Sequence, residues 1–171
     1  MKKRTFINFF LVTAFTFTSL FCAAQTPTDS LPGDPGEMYV YTVQNLAFGA
    51  FCHGNTGGSV MLTSNGSRST TGDVIALNLG IQFFNAIFEL EAPPGTIVSI
   101  LNGPDATLTG SNGGAMTLSL GTSSPMAPFS TIVSPPSRTQ VNIGGTLTVG
   151  NNAASPPGAY TGTFYITFNH E

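Results

Sequence analysis

Few residues in this chain could carry out chemistry, and their spacing argues against most of what they could do. His53 and His170 are the only histidines. His53 directly follows Cys52, in AFCHGNTGG. Neighbours on an extended strand point to opposite faces, which speaks against a Cys–His dyad or a shared metal. His170 stands beside the last residue and is expected to fray. A metal site built on two histidines also needs carboxylates at ligand spacing. Asp29, Asp34 and Asp105 are scattered and supply none. Glu89 and Glu91 lie two apart and share a strand face. Paired carboxylates hydrolyse glycosides when they flank the bond at about 5 Å or at about 6.5–9.5 Å. Two residues of one strand cannot flank a substrate, so this pair is expected to be a solvated face. GNTGG and GSNGG lack the Lys-Ser/Thr of a phosphate loop and are expected to be turns. No catalytic, cofactor or metal site is expected, and the chain is not expected to be an enzyme.

The N-terminus bears on the compartment. Lys2, Lys3 and Arg4 precede an apolar run from Phe6 to Phe21, and Cys22-Ala23-Ala24 follows. This is the pattern of a secretory signal peptide over residues 1–24, cut between Ala24 and Gln25. The run is shorter than the roughly 20 residues a spanning helix needs, so no transmembrane segment is expected in the mature chain. A lipoprotein cut before Cys22 is the rival reading, although Phe21 occupies the position before it. After a cut at Gln25, Cys52 is the only cysteine and no disulfide can form within the chain. Cys52 is expected to be a small buried hydrophobe, with a reactive or intermolecular thiol as the alternative.

The whole chain has 171 residues, five basic and eight acidic, for a formal net charge of −3. Beyond the signal only Arg68 and Arg138 are basic, and all eight acids remain. Nucleic acid is not an expected partner, because phosphate binding needs clustered Lys and Arg. With so few charges, most of the surface must be Ser, Thr, Asn and Gly.

The elements that would hold these residues are strands. Residues 25–37, QTPTDSLPGDPGE, have three prolines and no apolar periodicity, and they read as a flexible leader. Residues 38–171 form a series of short runs of period two, broken by Gly, Pro and Asn. The run Met38–Phe51 should kink near Asn45 or Gly49. Asn65-Gly66 signals a hairpin with a type I′ turn. Separate strands are expected at SRSTT and DVIALNLG. In QFFNAIFELEA, Phe84, Ala86, Phe88 and Leu90 share one face. Gly144-Gly145 interrupts RTQVNIGGTLTVG, which is therefore a strand pair or a bulged strand. The most regular run is the last, GAYTGTFYITFNHE, with Tyr160, Phe164, Ile166 and Phe168 facing inward. Such a strand is central in its sheet or an edge that invites pairing. About eight to ten short strands at this spacing of turns make an all-β antiparallel sandwich. With 14 Phe, 4 Tyr and no Trp, its aromatic packing falls to Phe and Tyr.

Three stretches carry a resemblance: LAFGAFCHGNTGGSVMLTSNGSRSTTGDVIAL (46–77), GGTLTVG (144–150) and PPGAYTGTFYITF (156–168). Together they resemble a bacterial domain-of-unknown-function family, number 4402. The resemblance implies a secreted, Ig-like domain with no established activity. The ending is also similar, more distantly, to the last strand of fimbrial and spore-coat-U-like pilin subunits. In those proteins a chaperone or a neighbouring subunit donates a strand beside it. The leader of this chain alternates little and is rich in proline, and the cysteine pair of many pilins is absent. The function expected from these features is a non-enzymatic structural or adhesive protein of a Gram-negative bacterium, pilus-like in assembly. Its address would be the periplasm, the outer surface or the medium. Its partners would be itself or a periplasmic chaperone, joined by strand pairing. The alternative is a carbohydrate-binding module that presents Tyr39, Tyr41 and Tyr165 to a glycan.

Overall fold

The computed structural model describes residues 37–171. The expected signal peptide and all but the last residue of the leader lie outside the described residues. Eleven strands follow in order: β1 (Tyr39–Gln44), β2 (Phe51–Leu62), β3 (Arg68–Ala76), β4 (Ala86–Glu91), β5 (Ile97–Asn102), β6 (Ala106–Gly110), β7 (Ala115–Ser124), β8 (Phe129–Ser130), β9 (Thr139–Val149), β10 (Tyr160–Thr161) and β11 (Ile166–His170). All their ladders are antiparallel. No helix occurs among the described residues. The fold is an all-β sandwich. An eight-stranded sheet runs in the order β1-β4-β9-β7-β6-β10, with β2 attached to β9 and β3 to β2. A three-stranded sheet runs β11-β5-β8.

The long strand β9 organises the larger sheet. Val141, Ile143, Leu147 and Val149 project into the core and are almost fully buried. One edge of β9 serves two partners. Its first half pairs with β4, from Thr139 opposite Leu90 to Ile143 opposite Ala86. Its second half pairs with β2, from Gly145 opposite Leu62 to Val149 opposite Gly58. The other edge pairs with β7, across a bulge between Leu120 and Ser123. The partner changes at Gly144. A Cβ there would stand 2.0 Å from the Leu62 carbonyl oxygen and 2.7 Å from the Thr63 carbonyl carbon. Glycine is required because two strands converge on one backbone position. Gly144-Gly145 therefore marks a change of partner within one continuous strand and does not divide a strand pair.

The core falls into two clusters. One gathers Phe48, Val60, Leu62, Met116, Leu118 and Leu147; the other gathers Phe88, Leu90, Val98, Val141 and Ile143. Leu46, Leu120 and Phe164 pack against both and join them. The Phe88 and Phe168 rings meet with centroids 5.3 Å apart and tilted by 59°, a favourable aromatic arrangement.

Several local expectations need correction. The run Met38–Phe51 does break where expected, with β1 ending at Gln44 and Gly49 at φ 71°. The 63–67 hairpin is not type I′. Gly66 alone has positive φ, at 84°, and its N–H donates to the Thr63 carbonyl. That is a type I turn closed by a left-handed glycine. SRSTT and DVIALNLG are not separate strands, since β3 runs through both. GNTGG is no turn either. It forms an irregularity inside β2, where the ladder with β3 is interrupted between His53 and Gly58.

The largest difference is at the C-terminus. GAYTGTFYITFNHE is two strands in two sheets. β10 pairs with β6 in the larger sheet and β11 with β5 in the smaller one. Gly162–Tyr165 belong to no strand and carry the chain across. Gly162 packs so closely on β6 that a Cβ would lie 2.6 Å from the Thr107 carbonyl oxygen. The alternation survives the crossing, with Tyr160, Phe164, Ile166 and Phe168 half-buried and Thr161, Thr163, Tyr165 and Thr167 exposed. His170, expected to fray, is paired with Val98, and Glu171 exchanges two backbone hydrogen bonds with Ile97.

Gly144→Ala should destabilise the fold by about 1–3 kcal/mol, since backbone and not a movable side chain blocks the added methyl. Gly121→Ala, whose Cβ would meet its nearest atoms at an ordinary 3.5 Å, should cost much less. Urea midpoints of the two variants at constant slope decide this.

Candidate functional site: a cleft between free sheet edges

The strand order leaves β1 at one end of the larger sheet and β10 at the other. The sheet curls, as twisted sheets do, and brings both ends to one place. β1, β10 and the crossing segment that leads into β11 border a single open cleft of about 850 Å³. Val40, Thr42, Asn45 and Leu46 form one wall and Tyr160–Phe168 the other. Phe48, Phe88, Leu108 and Leu118 also line it, and all but Leu108 are buried core residues. No lining side chain among the described residues carries a charge. Among the described residues, β1 pairs only with β4, β10 only with β6, and β11 only with β5. The cleft is thus an uncharged, mainly apolar trough between sheet edges, and such edges offer N–H and C=O groups to another strand.

Tyr160, Phe164, Ile166 and Phe168, the residues picked out in the sequence as a pairing edge, all line this cleft. The Tyr160 hydroxyl donates to the Pro156 carbonyl at 2.6 Å, so its polar end is already satisfied. Val40, Thr42 and Phe88, which face these residues, were not foreseen. The only signal for them was the alternation of their own segments, β1 for Val40 and Thr42 and β4 for Phe88, and alternation does not reveal that an edge stays open.

The residues with catalytic potential lie elsewhere and have structural partners. Arg138 binds both glutamates, with Nη1 3.2 Å from Glu89 Oε2 and Nε 3.1 Å from Glu91 Oε2. Its guanidinium also stacks 3.8 Å above the centre of the Tyr41 ring. The hydrogen bonds to Glu91 and then Glu89 raise the Arg138 pKa above its ordinary value. The expected solvated carboxylate face is instead an ion triad that ties β1 and β4 to the start of β9, and Glu91 is buried. The other arginine among the described residues does similar work. Arg68 donates to the carbonyls of Phe48, Ala50 and Leu77 and lies 4.4 Å over Phe83.

His53 sits half-buried on β2, with Nε2 2.8 Å from the Ser155 carbonyl. Nδ1 lies 3.0 Å from the Gly54 carbonyl, and a neutral ring donates to one of these two acceptors. The buried Ser155 hydroxyl in turn donates to the Ala115 carbonyl and accepts the Gly150 N–H. Cys52 is exposed, which corrects the buried reading. It lies on the outer face of β2 opposite the exposed Ile75. The three tyrosines do not share one platform. Tyr39 donates to Glu37, Tyr41 lies under Arg138, and Tyr165 is at the cleft. Among the described residues no group of three or more His, Cys, Asp or Glu could hold a metal ion. No helix there is long and apolar enough to cross a membrane.

Removing Arg138 leaves the buried Glu91 without its cation, so Arg138→Met should cost about 1–3 kcal/mol. Glu89 is more exposed, and Glu89→Gln should cost under about 1 kcal/mol. Thermal or urea melts of the two variants check the ranking. Asp73 provides a pH test. Its carboxylate accepts the Thr56 N–H at 2.9 Å, and that bond above all lowers its pKa below the ordinary 3.8. The folded state therefore favours ionised Asp73. This contribution is complete above the unfolded value and is lost as pH falls through and below about 4. Asp73→Asn should flatten that part of the acid limb in urea titrations taken from neutral to acid pH.

No curated protein and no solved structure matches the chain. A family model does match, over residues 38–170, a span that takes in every strand and the whole cleft. The chain belongs to the DUF4402 family, a domain of unknown function.

Proposed function

We propose that this is a non-enzymatic structural or adhesive protein, exported to the periplasm, surface or surroundings of a Gram-negative cell, that assembles by taking an extended strand into its cleft. One observation carries the reading: an uncharged trough, lined by core side chains, lies between β1 and the Tyr160–Phe168 segment. A strand placed there gains backbone hydrogen bonds and buries apolar side chains at the same time, which is the physics of β-augmentation. The apolar side chains it would cover are Val40, which is exposed, and the half-buried Phe164, Ile166 and Phe168. The more distant similarity of the C-terminal run to pilin subunits agrees with this reading. The N-terminal signal pattern agrees with export.

A glycan platform has less support, because Tyr39 and Tyr41 are already engaged with Glu37 and Arg138. An enzymatic reading has less again, because Glu89, Glu91 and His53 each have a structural partner.

Size-exclusion chromatography with light scattering, on the exported chain over a range of concentrations, tests the proposal. Self-association or a stable complex with a co-purifying chain is expected. Val40→Glu should abolish it, since Val40 is 41% exposed at the cleft and a carboxylate there faces apolar side chains. The same variant should shift monomer stability by less than about 1 kcal/mol. A wild-type protein that stays monomeric at every concentration, with no bound chain and no partner recovered, would sink the proposal.

A further inference from the structure

The cleft also constrains which strand can enter it, and this step rests on the strand-accepting reading above. We infer that the occupant is a segment of a different polypeptide, extended and uncharged, about six to nine residues long, with apolar residues at alternate positions. The length follows from the walls. β1 has six residues and the opposite wall runs from Tyr160 to Phe168. The alternation follows from the geometry of a strand lying between two edges, where every second side chain points into the sandwich. Those side chains would meet Phe48, Phe88, Leu108 and Leu118. The absence of charge follows from the lining, which has no ionised group to pair with a buried one.

The chain's own leader does not meet these terms. QTPTDSLPGDPG, residues 25–36, holds one aliphatic side chain, Leu31, together with Pro27, Pro32 and Pro35 and the acids Asp29 and Asp34. A strand inserted between two edges needs its N–H groups on both sides, and proline is confined to edge strands for that reason. Two carboxylates would enter a trough that offers no cation. A leader from a second copy therefore fills the cleft no better than the chain's own.

Binding of three synthetic peptides to the exported chain, followed by calorimetry, tests the inference. The first is a nine-residue peptide with Val at alternate positions and Ser or Asn between. The second has the same composition with the alternation scrambled. The third is the leader, Gln25–Gly36. The alternating peptide should bind at least tenfold tighter than the scrambled one, the leader should not bind, and Val40→Glu should weaken the alternating peptide at least tenfold. Leader binding as tight as that of the alternating peptide would overturn the foreign-strand inference and leave strand acceptance standing. Equal binding of the alternating and scrambled peptides would overturn the alternation requirement. Failure of all three peptides, with a monomeric protein, would overturn both readings.

Discussion

One edge of a β-strand can pair with only one neighbour at each residue, and β9 has two strands to accommodate on the same edge. It divides its length between them, β4 at its first half and β2 at its second, with Gly144 at the join. The Leu62 carbonyl fills the place a Cβ would need there, so the join depends on a residue with no side chain. Everything else in the larger sheet hangs from this strand. β7 takes the opposite edge and leads out to β6 and β10, while β4 leads out to β1. The two ends of the sheet are set by what β9 holds in its middle.

The cleft is a consequence of that arrangement. A twisted sheet of this width curls, and its end strands β1 and β10 come to border the same space. The last segment then leaves the larger sheet at Gly162 and joins the smaller one at Ile166. In crossing, it carries Phe164 into contact with both core clusters. The wall of the cleft and the link between the two halves of the core are therefore the same stretch of chain. This coupling gives a physical route by which a strand added at the cleft would stabilise the whole sandwich, since a ligand that binds only the folded state favours that state.

Charge is scarce and is placed at irregular points. Arg138 gathers Glu89, Glu91 and the Tyr41 ring at the corner where three strands meet. Arg68 fastens the non-ladder backbone around Phe48, Ala50 and Leu77. A planar guanidinium with several donors suits both tasks, because it can serve several acceptors and still stack on an aromatic face. Asp73 does the same with the opposite sign. It accepts the Thr56 N–H within the irregular stretch of β2. Arg68 and Asp73 thus hold backbone where the ladders are irregular, while Arg138 joins side chains of neighbouring strands.

Alternation of side chains was enough to establish an all-β chain and to mark the apolar face of the segment from Ala86 to Leu90. It also singled out Tyr160, Phe164, Ile166 and Phe168, because inward and outward residues differ in type whatever sheet they belong to. Alternation cannot name a partner, since pairing depends on residues far away in sequence. For that reason the last strand read as one and is two, and the double pairing of β9 was invisible. Cys52 was misjudged for a related reason. Facing opposite ways follows from adjacency, but which side is covered depends on the layer packed over it. The open cleft belongs wholly to the tertiary structure. A free edge is a property of the completed sheet, decided by which strands found neighbours and which did not.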